Sequence, residues 1–195
     1  VGLVSIIGSD FDETSYRRIV DAGLDIEGVK QSDGMTFRWS GKYEGSMDHA
    51  ITVSTEVNVL SDFKPTLPAS WKDPTILFCS SASPATQIEV LNANQGSKVT
   101  ALDTFQLWID SEFSGLSEAL RKVDIAIFNE DEVNAIGDGQ NFLESGRNII
   151  TGQSLNGGEL AGSGPQCLII KRGSAGCVCI HRLSLIHISE PTRPC

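Results

Sequence analysis

Val123-Asp124-Ile125-Ala126-Ile127-Phe128-Asn129-Glu130-Asp131-Glu132 is an apolar run that breaks abruptly into an amide and three carboxylates. A strand covered on both faces reads as continuous apolar residues, and ligands of open α/β sheets gather beyond the carboxyl ends of such strands. The stretch predicts a buried parallel strand over Val123–Phe128 that opens onto a ligand site at Asn129–Glu132.

The flanking segments repeat the pattern. Thr75–Cys79 and Lys98–Leu102 are short apolar runs, and between them Pro84 suits a first helical turn, with Ile88, Val90 and Leu91 packing inward. Leu116–Leu120 is helical, Val133 and Ile136 mark a short helix opened by the carboxylates, and Asn141–Ile150 predicts another. Gln166–Lys171 is the last clear core strand, after a Gly-, Ser- and Asn-rich loop over Thr151–Gly164. Strands alternating with helices predict a three-layer, doubly wound α/β core whose sheet is mostly parallel.

The N-terminal part differs in texture. Val1–Ile7 is a strand, Gly8-Ser9-Asp10-Phe11 a turn, and Glu13–Ala22 a helix stopped by Gly23. From Ile26 to about Leu60, β-branched and aromatic residues alternate with polar ones, as in Met35–Ser40 and Ile51–Thr55. Such alternation predicts a small antiparallel sheet with one wet face, serving either as a lid or only as an edge hairpin. Gly41 and Gly45 mark its turn region.

Length and composition bound the function. The 195 residues fit one domain, or one domain with a small appendage, and the 40% hydrophobic and 21% charged content is that of a globular protein. A net charge of −10 argues against a nucleic-acid partner, because phosphate binding rests on Lys and Arg. No apolar run approaches the roughly 20 residues of a membrane span and no secretory leader is legible, so a cytoplasmic location is expected. Cys79, Cys167, Cys177, Cys179 and Cys195 form no CxxC pair, which fits free thiols in a reducing compartment; Cys177 and Cys179 share one strand face.

Two motifs carry candidate chemistry. Asn129 and Glu132 begin a helix and face roughly one direction, and a Glu acting through water suits magnesium, which keeps several waters and shares ligands with phosphates. The same residues also fit an acidic helix N-terminus that only complements the dipole. Gly173 and Gly176 follow a strand and can bring backbone N–H groups to a phosphate, or can simply turn a hairpin into Cys177–Ile180.

In their order along the chain these features resemble the ribokinase-like (PfkB) carbohydrate kinases. The likeness covers about residues 1–182: the G-x-D-F turn ending at Phe11, the lid strands at about 26–60, the strand ending in Leu102-Asp103, the N-x-x-E segment and Lys171–Gly176. Thr36-Phe37-Arg38-Trp39-Ser40-Gly41-Lys42-Tyr43 resembles the T-F-R-W-x-G-x-Y lid segment of a sugar-kinase subgroup. The resemblance implies ATP-dependent phosphoryl transfer to a hydroxyl of a sugar or sugar-like molecule, with ATP and Mg²⁺ as cofactors. It places Asn129, Lys171, Arg172, Gly173 and Gly176 on the nucleotide side and Glu132 at the metal. Arg38 falls on the substrate side, as does Asp10 unless it is only a turn or hinge residue, and lids in this family sometimes mediate homodimers. The family often has Thr where Lys171 stands.

The family's Gly-rich substrate motif and its G-A-G-D segment, which carries the catalytic base, are absent, so the chain is expected to be an inactive fragment with no catalytic Asp. Residues 183–195 resemble translated sequencing adapter and are expected to be a non-native tail. A non-catalytic nucleotide- or sugar-binding α/β module is the alternative from another class, and a hydrolase using the Asp cluster is a second enzymatic one.

Overall fold

The computed structural model describes residues 1–43, 50–71, 73–94 and 96–188, so Gly45 and the tail from Ser189 lie outside the described residues. The chain divides into two compact units, Val1–Lys72 and Asp73–Cys195.

In the first unit, β1 (Gly2–Gly8) leads into α1 (Glu13–Asp21), whose start is capped by the Asp12 carboxylate accepting from the Thr14 and Ser15 amides. The chain then reverses at Gly23 (φ 76°) into β2 (Asp25–Ser32). β2 pairs with β1 in parallel, which corrects the expectation of an antiparallel sheet starting at Ile26. The physical reason is that alternation reports which faces are covered, not which way the neighbouring strand runs. The antiparallel pair is confined to β3 (Arg38–Tyr43) and β4 (Ala50–Glu56).

The second unit is an α/β layer built on a six-stranded, mostly parallel sheet. Its elements are β5 (Ile76–Cys79), α2 (Pro84–Ala93), β6 (Val99–Leu102), α3 (Gln106–Ser111), α4 (Phe113–Leu120), β7 (Ile125–Asn129), α5 (Glu130–Gly137), α6 (Phe142–Thr151), β8 (Cys167–Lys171), β9 (Cys177–His181) and β10 (Ser184–Ile188). The strand order is β10-β9-β8-β7-β6-β5, with β5 to β8 mutually parallel and β8-β9-β10 antiparallel. β10 falls in the stretch expected to be a non-native tail without patterning; its backbone nonetheless adds an edge strand to β9.

Strand order also explains where the core sits. When consecutive parallel strands are laid down in one direction, right-handed crossovers put every helix on the same face. Accordingly Leu102, Ala126, Leu168 and Ile180 form one row across the sheet and are buried with Leu116, Leu120, Val133, Ile136 and Ile149 of the helices. The opposite face keeps Ile76 and Phe78 62% and 50% exposed. The α/β architecture with a mostly parallel central sheet is the one the sequence predicts.

Gly137 sits where α5 meets α6, and a Cβ there would run into the backbone of Ser145. Gly137→Ala gains up to about 1 kcal/mol of helix propensity, but a backbone contact cannot yield as a side-chain tip can, and overpacking costs about 1–3 kcal/mol. The expected result is a net loss of stability, read as a lower urea midpoint with unchanged m-value.

Candidate active site

β7 does not simply end at Asn129; it becomes α5 there. The Asn129 side-chain oxygen accepts from the Glu132 amide at 2.8 Å, and Glu132 Oε2 accepts from the Asn129 amide at 2.8 Å, a reciprocal capping box. The N-x-x-E pair thus has a local structural task, and that task fixes both side chains at the carboxyl end of the strand. Glu132 is only 7% exposed. Burial raises its pKa above the ordinary carboxylate value, the Asn129 amide opposes that rise, and the nearby charge of Asp103 adds to it.

Asp103 follows β6, the neighbouring strand, and Lys171 ends β8, the neighbour on the other side, directly opposite Asn129. Lys171 Nζ lies 3.7 Å from Asp103 Oδ2. Burial raises the Asp103 pKa and Lys171 partly offsets it. Four groups therefore converge at the ends of three adjacent parallel strands: Asp103, Asn129, Glu132 and Lys171. The sequence marks Asp103 only as the end of a strand. The signal was present, since a carboxylate directly after Ala101-Leu102 repeats the pattern at Phe128-Asn129.

The Gly173–Gly176 turn forms the β8–β9 hairpin. Its amides at Arg172, Ala175 and Gly176 bond within the turn, to the carbonyls of Gly176, Arg172 and Gly173 respectively, so at those positions the hairpin alternative describes the local structure. Arg172 Nε donates to Glu130 Oε2 at 2.8 Å, and its guanidinium stacks 4.5 Å from the Phe142 ring centroid. Glu130 is thus engaged in holding the turn to α5.

In the first unit Asp10 and Arg38 meet each other: Arg38 Nη2 donates to Asp10 Oδ2 at 2.7 Å. Asp10 also accepts from the Thr36 amide and hydroxyl, at 2.6 and 2.8 Å, and these bonds hold its pKa below the usual value. Gly8 makes the approach possible, because a Cβ there would strike the backbone of Gly34, Met35 and Thr36. Beside this knot, at the carboxyl ends of β1 and β2, an open cavity of about 480 Å³ is lined by Ser9, Gln31, Ser32 and Asp33. Sequence reasoning missed these four; the polar run Gln31-Ser32-Asp33 at the end of β2 was the available signal.

No known family profile matches the chain. It is 26% identical over 180 residues to the cytidine kinase of Thermococcus kodakarensis, a match covering 90% of this chain and 59% of that protein. Among solved structures, the nucleoside kinase of Methanocaldococcus jannaschii, an archaeal member of the ribokinase family, aligns over 96% of this chain and 58% of its own, at TM-score 0.67 and 16% identity. A chain from E. coli assigned as ribokinase II, solved with ATP and Mg²⁺, aligns over 99% and 63% at TM-score 0.71 and 16% identity. The fold is ribokinase-like. The chain spans about three-fifths of the length of these proteins.

A buried carboxyl whose pKa is raised in the native state lets the unfolded chain ionise first. Its cost to stability is absent below the ordinary carboxylate pKa, grows as pH rises from there, and is complete above the raised native pKa. Glu132→Gln keeps an oxygen for the Asn129 amide and removes the titration. Urea midpoints measured from mildly acid to neutral pH are expected to fall less with rising pH in Glu132→Gln than in the parent.

Proposed function

We propose that this chain is part of an ATP-dependent kinase that transfers the γ-phosphoryl group of ATP to a hydroxyl of a nucleoside, a sugar or a similar small molecule, with Mg²⁺ as cofactor. The carrying observation is the convergence of Asp103, Asn129, Glu132 and Lys171 at the ends of β6, β7 and β8 on a ribokinase-like fold. The likeness to a cytidine kinase over 90% of the chain supports the same reaction class and widens the acceptor from sugars to nucleosides.

Phosphoryl transfer asks a protein mainly to position groups and neutralise charge. Lys171 supplies the cation for the phosphates, Asn129 and the Gly173–Gly176 turn lie on the nucleotide side, and Arg172 fixes that turn through Glu130 and Phe142. Among the described residues no three His, Cys, Asp or Glu side chains converge to hold a metal by themselves. That composition suits Mg²⁺ held by one or two carboxylates, water and substrate phosphates. Glu132 has one oxygen engaged by the Asn129 amide, and the other is assigned to the metal's water shell.

Arg38, Asp10 and the cavity at Ser9, Gln31, Ser32 and Asp33 are assigned to the acceptor side. The base that takes the acceptor's proton is assigned to length of the relatives that this chain does not span, so the chain alone is proposed to bind without turning over. Ile51 and Val53 on β4, 54% and 66% exposed, support a homodimer through the lid. A small-molecule acceptor, the absence of a nucleic-acid partner and a cytoplasmic location complete the proposal. No described helix is long and apolar enough to cross a membrane.

Titration calorimetry of the chain with ATP and Mg²⁺ tests the nucleotide half. Binding is expected, and Lys171→Met should weaken it about tenfold, which is about 1.4 kcal/mol. Turnover by the full reading frame containing this chain, against a panel of nucleosides and sugars, tests the transfer. ADP release matched by acceptor phosphorylation is expected, with Glu132→Gln lowering it about 10–100-fold. ATP binding without turnover on any acceptor would favour a non-catalytic nucleotide-binding module.

A further inference from the structure

Cys167 on β8 and Cys179 on β9 lie with their Sγ atoms 3.1 Å apart. The strands are antiparallel, with Cys167 opposite His181 and Ile169 opposite Cys179, so the two thiols are diagonal neighbours on one face of the hairpin. It is the face turned away from the helices: the intervening Leu168, Ile170, Val178 and Ile180 are buried in the core, whereas both cysteines are half-buried. Cys79 is buried on the helix side and Cys177 lies opposite Lys171. The pairing is a product of strand register and has no counterpart in cysteine spacing along the chain.

We propose that Cys167 and Cys179 form a modification site, a dithiol that takes a two-electron oxidant of the peroxide class and closes to a disulfide across β8 and β9. Bonding distance is about 2.05 Å, so the sulfurs need to approach by only about 1 Å. Burial, together with the neighbouring Cys179, pushes the Cys167 thiol up to about 12; the thiolate is the nucleophile, and either cysteine, for instance Cys179, can be the first to react. Its sulfur attacks one peroxide oxygen, the O–O bond breaks, one water leaves and a sulfenic acid remains. The Cys167 sulfur then attacks the Cys179 sulfur, the S–O bond breaks, and the hydroxyl leaves with the Cys167 proton as a second water. Two thiols are oxidised to one disulfide and one peroxide is reduced to two waters. The new bond would fasten the hairpin that carries Lys171 and the Gly173–Gly176 turn.

The test is mass spectrometry of the full, initially reduced chain after hydrogen peroxide. The expected product is lighter by two hydrogens, reverts with dithiothreitol, and joins the tryptic peptide carrying Cys167 to the one carrying Cys179. Cys177 shares a tryptic peptide with Cys179, so substitutions discriminate between them. Cys177→Ser should keep the link, whereas Cys179→Ser and Cys167→Ser should each lose it and stop at a sulfenic acid on the remaining partner, trapped by dimedone. A link that survives Cys179→Ser, a main product through Cys79 or Cys195, or oxidation to sulfinic acid with no link would overturn the proposal. Phenylarsine oxide, which bridges two close thiols, gives an independent readout on the unsubstituted chain. One equivalent should bind the reduced protein, and failure to bind would likewise overturn it.

Discussion

The two reciprocal bonds between Asn129 and Glu132 are the constraint on which the rest of the site depends. They satisfy two backbone donors that a helix start would otherwise leave open, so the chain passes from β7 to α5 with no intervening loop. A loop would leave the Glu132 carboxylate free to swing into solvent. The cap instead holds it where the strand delivers it, and the helix behind it, with Val133 and Ile136 buried, keeps it there. A structural motif and a candidate chemical one thus share the same two residues, Asn129 and Glu132.

A carboxylate fixed in that way is expensive to ionise, and its surroundings show how the cost is met. Glu132 and Asp103 are both raised by burial, and each lies near enough to the Lys171 charge to be partly relieved by it. One cation facing two half-shielded anions is a balance that an added phosphate or metal ion can shift in either direction. Next to it, Glu130 and Arg172 form a separate pair stacked on Phe142, so neighbouring charges in the N-E-D-E run have different tasks. The run cannot be treated as a single acidic patch.

The winding of the sheet has consequences beyond topology. Because β5 to β8 are added in one direction, the helices cover one face and leave Ile76, Phe78 and the two cysteines on the other. The first unit shows the complementary principle at small scale. There Thr36 and Arg38 reach Asp10 because Gly8 lets two backbone segments approach more closely than any side chain would permit.

Much of this was legible in the linear chain. Strands β5 to β9, the helix opened by Pro84, the helix over Asn141–Ile150, and Asn129 and Glu132 as a pair all follow from local pattern, because apolar runs, first-turn residues and turn glycines act on their immediate neighbours. What the sequence left open depends on partners distant along the chain. The parallel pairing of β2, the meeting of Asp103 with Lys171 and the approach of Cys167 to Cys179 are set by register between strands, and the locking of Arg172 by Glu130 and the mutual contact of Asp10 and Arg38 by how a strand end or turn meets another element. A residue's own neighbourhood in sequence fixes which element it joins; which side chain it faces across the sheet is decided only when the whole sheet has formed.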